Sequence, residues 1–270
     1  FIVDHKLRKE STIEAKKIKK ILNQLLINSE ILTWKGKKPS KNIQSGARNK
    51  RYELIFSKSD RYNINIILIG HHQDDLLENF FIRILRGSGL KGLISLDKKT
   101  KINNKYLLRP LLDQKKEDLV FISNKVFNFY VQDPSNNDDK YQRVSIRKLI
   151  NNLQKNGLDK KKFYKTILNL KDSNAVIHFY VLENLKSNTS YLEEKNELIL
   201  NRNFFQQPHE VIFRSFSDGL KLVGNKYYPS RGKKIEKVIK SIQSNRTLKA
   251  TLGGCIIEKV NQTVIISKET

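Results

Sequence analysis

The stretch Ile64-Asn65-Ile66-Ile67-Leu68-Ile69-Gly70-His71-His72-Gln73-Asp74-Asp75-Leu76-Leu77-Glu78 decides the fold. Ile64 to Ile69 is a β-branched, apolar run of the kind buried on both faces of a parallel sheet, and it stops at Gly70. A helix follows from about Gln73 to Arg86 and ends at Gly87. Upstream, the same alternation recurs. Phe1 to Asp4 is a short strand ending in an acid, and Ser11 with Glu14 has capping-box spacing ahead of a helix through Ile18, Ile21, Leu22 and Leu25. Glu30 to Trp34 is a second strand, followed by a helix through Ala47, Tyr52, Leu54 and Ile55. Downstream, Tyr106 to Arg109 adds a strand and Asp113 to Phe127 a helix. Strand and helix in strict alternation predict an α/β fold with a doubly wound parallel sheet.

The second half differs. Arg143 to about Lys186 is helical with a break near Gly157, and Glu197 to Leu200 is a small strand. Two more helices cover roughly Pro208 to Leu220 and Gly232 to Ser244. Cys255 to Val260, an Asn261-Gln262 turn and Thr263 to Ser267 form a closing hairpin. The expected organisation is an α/β domain over residues 1–156 and a mainly helical domain with a C-terminal β-hairpin over 157–270.

The chain has 270 residues, 52 Lys plus Arg against 27 Asp plus Glu, and a formal charge of +25. With 39 Lys, 13 Arg and 26 Asn, part of that excess reflects a Lys-, Asn- and Ile-rich composition. The basic residues are nevertheless spread over the chain and not confined to a tail, which favours a folded basic surface and nucleic acid as partner. The apolar runs fall far short of the ~20 residues of a membrane span. The lone Cys255 excludes an internal disulfide and any Cys-x-x-Cys pair, and fits a reducing, cytoplasmic setting. There is no Met, and the chain opens on Phe1-Ile2-Val3 as if inside a strand, so a missing N-terminus is expected.

The chemistry is expected at the strand-to-helix turn His71 to Glu78, because ligands of open α/β sheets bind at the carboxyl ends of strands. At about 100° per residue, Asp74, Asp75 and Glu78 share an arc of about 100° on one helix face. Leu76, Leu77, Phe80 and Ile84 lie on the other. Three carboxylates beside two imidazoles are thus expected to face away from the core, and loss of Glu78 to cost little stability. Acids in a first turn also interact well with the helix dipole, which accounts for Asp74 or Asp75 but not for His71-His72. Such a cluster can bind a divalent metal directly, or hold Mg²⁺ on a nucleotide and orient a substrate. Arg86-Gly87-Ser88-Gly89-Leu90-Lys91 is glycine-rich and basic, yet doubles as a helix C-cap. Arg48, Arg51 and Tyr52 share one side of a helix start, a pattern that suits phosphate and equally a solvated basic face. Asp133-Pro134-Ser135-Asn136 is a turn, and Arg143 and Arg147 at i, i+4 open the helix after it.

In order along the chain stand Val3-Asp4-His5-Lys6-Leu7-Arg8, Gly46-Ala47-Arg48-Asn49-Lys50-Arg51-Tyr52, His71-His72-Gln73-Asp74-Asp75-Leu76-Leu77-Glu78, Arg86-Gly87-Ser88-Gly89, Arg109-Pro110-Leu111-Leu112 and Asp133-Pro134-Ser135-Asn136. This series resembles the tRNA(Ile)-lysidine synthase family of N-type ATP pyrophosphatases, densely over residues 1 to about 150. The resemblance implies an adenine-nucleotide α-hydrolase-like fold and a ligase of tRNA modification. ATP with Mg²⁺ adenylates the C2 oxygen of the wobble cytidine of tRNA(Ile) with a CAU anticodon, and free L-lysine displaces AMP to give lysidine. It implies catalytic roles for His71, Asp75, Glu78, Arg51 and Arg143, and nucleotide contacts for Asp4, His5, His72 and Asp74. From their own basic pattern Arg48, Arg86, Lys91 and Arg147 are expected to contact RNA, Asp74 and Asp75 to meet Mg²⁺ on ATP, and a homodimer is among the expected partners. Two departures stand out. The family's Ser-Gly-Gly-x-Asp-Ser loop precedes the Val-Asp-His motif and is not in this sequence, so residues 1–270 alone are expected to bind ATP poorly, to be inactive and to aggregate. Val144 stands where the family usually has Asn.

Three other readings compete. A tRNA cytidine thiolase needs paired cysteines, which Cys255 cannot supply. A metal-dependent phosphoesterase would rest on His71, His72, Asp74 and Asp75 and work without ATP. A non-catalytic RNA-binding fragment would use the charge alone.

Overall fold

The computed structural model describes residues 1–40, 43–102, 104–131, 142–225, 230–244 and 247–269. It divides into two units, Phe1–Lys160 and Lys161–Thr270.

In the first unit, strand and helix alternate as the sequence pattern demands. β1 (Ile2–Asp4), α1 (Ser11–Gln24), β2 (Ile31–Thr33), α2 (Ile43–Arg61), β3 (Ile66–Leu68) and α3 (Gln73–Leu85) follow in order. Then come α4 (Leu90–Leu93), β4 (Lys99–Ile102), β5 (Lys105–Leu108), α5 (Lys116–Phe127) and α6 (Gln142–Lys155). β1 runs parallel to β2, and β3 parallel to β5, the arrangement that βαβ crossovers produce. β4 hairpins back onto β5 antiparallel, a strand the sequence pattern did not announce because Lys99-Thr100-Lys101-Ile102 carries little apolar signal.

Two expectations are corrected here. β3 is not buried on both faces: Ile67 is buried, whereas Ile66 and Leu68 are 57% and 68% exposed. The parallel strands form two separate sheets, β1-β2 and β3-β5-β4, so helices do not close over both sides of β3. The capping box of Ser11 and Glu14 does not form either. Ser11 is already the first helical residue and its hydroxyl donates to Asp4 Oδ1 at 2.8 Å, while Glu14 pairs with Arg8 at 2.6 Å. A carboxylate at the strand end outcompetes the helix's own backbone for the serine.

The second unit begins within α7 (Lys160–Asn188), set off from α6 by Gly157 at φ +96°. β6 (Thr189–Leu192), β7 (Glu197–Leu200), α8 (His209–Gly224), α9 (Gly232–Ser244), β8 (Leu248–Leu252), β9 (Cys255–Val260) and β10 (Thr263–Lys268) complete it. The expected hairpin is present as β9 and β10, turned by Asn261 at φ 58°, and it is the middle of a five-stranded antiparallel sheet in the order β6-β7-β10-β9-β8. The inward residues of that sheet, Leu198, Leu200, Ile257, Val264 and Ile266, pack with Phe216 and Leu220 of α8 and with Ile235, Ile239 and Ile242 of α9. α8 approaches so closely that a Cβ on Gly219 would lie 2.7 Å from Leu198 Cδ2, so the glycine is what lets helix and sheet meet. On α9 the buried isoleucines recur at helical spacing, which leaves Lys233, Lys237 and Lys240 exposed on the outer side. No helix among the described residues is long and apolar enough to cross a membrane.

Candidate active site

The β3-to-α3 turn builds the centre of the site. Ile69 N–H donates to Leu108 O at 2.9 Å, so the ends of β3 and β5 stay in register and bring His71 beside Arg109. His72 is the N-cap of α3, and its backbone N–H donates to Asp75 Oδ2 at 3.0 Å. That bond fixes Asp75 at the third helical position, where the positive end of the helix dipole favours a carboxylate.

The acids are not on an open face. His71, Asp75 and Glu78 are all buried, Glu78 only 2% exposed. This corrects the expectation of an outward-facing acidic arc. α6 packs on α3 and covers it, which a helical-wheel count on α3 alone does not register. The cover is made of cations. Arg143 Nη1 lies 3.4 Å from Asp75 Oδ1 and 3.9 Å from Glu78 Oε2. Arg147 Nε donates to Glu78 Oε1 at 2.5 Å, and Lys160 Nζ donates to Asp74 Oδ1 at 3.3 Å. Removing the Glu78 carboxylate would therefore leave cations over a buried gap, and the expectation of a nearly neutral Glu78→Ala is withdrawn. Glu78 Oε2 itself is buried and has no hydrogen-bond partner among the described residues.

On the other side of His71 stand the arginines of α2. Arg48 and Arg51 approach the ring of Tyr52 at 5.2 and 5.8 Å. Burial lowers the pKa of Arg51, and the charges of Arg48 and Arg143 lower it further while Asp75 opposes them. His5, just past β1, packs edge-on against Trp34 at 6.2 Å. Burial and then the Arg51 charge depress its pKa. His71 is pushed down to about 4 by burial; Asp75 opposes the shift, and the guanidiniums of Arg109, Arg48 and Arg143 add to it. It is a neutral imidazole at physiological pH.

The structure thus gathers His5, Arg48, Arg51, His71, His72, Asp75, Glu78, Arg143 and Arg147 in one electrostatic neighbourhood at the carboxyl ends of β1 and β3. Asp4 sits beside them in a structural role. Its carboxylate accepts from Ser11, Thr12 and the Lys6 N–H. Burial would raise its pKa, but those hydrogen bonds from Thr12, Ser11 and Lys6 win and lower it. Arg86 is not part of the site. It lies at the far end of α3, roughly 18 Å along the helix at 1.5 Å per residue, and donates to Gln142 Oε1 at 3.2 Å. Lys91 lies beyond it on α4 and is exposed. Asp133-Pro134-Ser135-Asn136 falls outside the described residues. Sequence reasoning missed Arg109 and Lys160 as partners of the site. Arg109 had a signal, since it directly follows a strand; Lys160 had none, being one lysine among many.

Between α3 and α6 opens a cavity of about 140 Å³, floored by Leu77 and Ile150. Its walls mix Asp74 and Glu78 with Lys116, Arg147, Lys160 and Asn151. No three His, Cys, Asp or Glu side chains among the described residues come together as a metal-binding group. Asp74 pairs with Lys160, and Asp75 with His72 and Arg143, and neither acid is joined by the further ligands that a metal ion held by the protein alone requires among the described residues. A protein-held metal was the foundation of the phosphoesterase reading.

The sequence model of the PP-loop domain family matches residues 1–154. The chain is 35% identical to a tRNA(Ile)-lysidine synthase of Orientia tsutsugamushi (strain Boryong), over 99% of the chain and 62% of that protein. It is 29% identical to that of Wolbachia sp. subsp. Brugia malayi (strain TRS), over 99% of the chain and 63% of the relative. It is 27% identical to that of Rhodopseudomonas palustris (strain ATCC BAA-98 / CGA009), over 98% and 79%. The chain spans about six-tenths of the length of the first two relatives.

Proposed function

The chain belongs to the PP-loop domain family, and on that premise we propose that it is the catalytic part of an ATP-dependent ligase that joins free L-lysine to the wobble cytidine of tRNA(Ile) with a CAU anticodon. In the first step the cytidine C2 oxygen attacks the α-phosphorus of ATP and pyrophosphate leaves. In the second, the ε-amine of lysine attacks C2, AMP leaves with the oxygen, and the amine gives up a proton. ATP enters as its Mg²⁺ complex, so the ion is a part of the substrate.

The observation that carries this reading is the pairing of buried carboxylates with partly exposed cations beside a neutral histidine. Arg48, Arg51 and Arg143 supply positive charge for phosphate oxygens, where charge develops as pyrophosphate departs. His71, uncharged, donates a hydrogen bond without adding to the cation count. The cavity between α3 and α6 suits a small zwitterion: an ammonium meets Glu78 and Asp74, and a carboxylate meets Lys116 and Lys160. Glu78 Oε2, buried and without a hydrogen-bond partner among the described residues, supports a role in holding the lysine amine and taking its proton. The basic surface, +25 over the chain, is the means of holding tRNA, with Lys233, Lys237 and Lys240 of α9 as one phosphate track.

The test uses the natural protein that carries this chain, with ATP, radiolabelled L-lysine and a tRNA(Ile) transcript. Label should enter the CAU transcript and not one with a CAC anticodon, and only with ATP present. Label entering without ATP, or none entering while AMP is released, refutes the reading.

A further inference from the structure

We infer that Arg109 is a positioning residue that holds His71 as a neutral imidazole with its proton on Nε2, and so makes it a hydrogen-bond donor and never the base of the reaction. The geometry is explicit. Arg109 Nε donates to His71 Nδ1 at 3.1 Å, in a pair of which both members are buried. A guanidinium has donors only, so Nδ1 must keep its lone pair, and the single ring proton of the neutral form sits on Nε2. Protonating Nδ1 would set N–H against N–H beside a fixed cation. The guanidinium cannot swing away, because its Nη1 donates to Asp97 O at 2.7 Å and to Thr100 Oγ1 at 2.8 Å. It is further anchored through the chain: Arg109 N–H donates to Lys98 O at 2.8 Å, and the parallel register of β3 and β5 sets its height against His71.

The consequence divides the labour of the site. With Nδ1 taken and Nε2 protonated, His71 offers one N–H to an anionic oxygen, as a nucleotide phosphate presents, and has no lone pair for a proton from the amine. Proton acceptance is left to the carboxylates of α3. This functional half rests on the nucleotide reading above; the tautomer does not, and is read without nucleotide.

The test is long-range ¹⁵N–¹H correlation of imidazole nitrogens in the uniformly labelled natural protein without nucleotide, with His71 assigned by its loss in His71→Gln. The expected pattern for His71 is Nδ1 unprotonated and Nε2 protonated. Arg109→Met should return the ring to a mixture of tautomers, and Arg109→Lys, which keeps a cationic donor, should restore the Nε2–H form. If Arg109→Met does not fold, the wild-type pattern with the Lys variant still decides. A protonated Nδ1 in the wild type, or an unchanged ring in Arg109→Met, overturns the positioning role. In the natural protein, ATP affinity should fall about tenfold in Arg109→Met, the weight of about one hydrogen bond, and recover in Arg109→Lys. A changed tautomer with unchanged ATP affinity overturns the functional half alone.

Discussion

His71 shows how a single side chain carries both the chemistry and a cost. Its folded pKa of about 4 lies well below its ordinary value of 6.5, chiefly because it is buried; Asp75 opposes the shift, and Arg109, Arg48 and Arg143 add to it. The unfolded chain therefore binds a proton that the folded one refuses between those two values. Stability is complete above about pH 6.5 and falls as the pH drops toward 4, by up to roughly 3 kcal/mol for a shift of this size. Urea midpoints measured at pH 7.5 and 5 should separate clearly in the wild type and draw together in His71→Gln. If the variant keeps the full acid sensitivity, some other group is responsible. The place of this residue at a strand end was legible in the sequence. Its protonation state was not, because Arg109 lies 38 residues away in the chain and only the β3–β5 register brings it near.

At the scale of elements, periodicity located most helices and strands to within a few residues, and α9 and β7 at the bounds expected. It failed where an element's environment comes from elsewhere. The carboxylates of α3 were read as solvent-facing because their side of the wheel is polar, yet α6 covers them with Arg143 and Arg147. A polar face can be an interior face when the opposite helix brings complementary charge, and no pattern within α3 announces it. β3 failed in the other direction: Ile66 and Leu68, two residues apart and so on one face of the strand, are exposed, while Ile67 on the other face is buried. The reading of α9 rests on firmer ground, since Ile235, Ile239 and Ile242 fix its inner side and leave the lysines outward. Replacing Lys233, Lys237 and Lys240 by Gln should weaken tRNA binding and flatten the plot of log affinity against log salt. Each lost phosphate contact lowers the slope by about 0.7 to 0.9. An unchanged slope would remove α9 from the RNA-binding surface.

At the scale of the molecule, the first unit gathers the candidate site at strand ends and the second builds a separate core from a sheet and two helices. The family was legible from motif order alone, since backbone-positioned motifs at strand ends keep their sequence across a fold. The division between phosphate chemistry and amine chemistry was not, because it depends on which side of α3 each acid meets. That division is the central proposal, in which Arg48, Arg51, His71 and Arg143 are assigned to the adenylation step and Glu78 to the lysine step. The measurement that tests it most directly is a separation of the two half-reactions in Glu78→Gln, which keeps the side chain's size and a hydrogen bond to Arg147. In the natural protein, that variant should still form AMP-bearing tRNA(Ile) from ATP, release pyrophosphate, and stall there at any lysine concentration. Adenylation lost together with lysine transfer, or lysidine formed at the wild-type rate, would contradict the account.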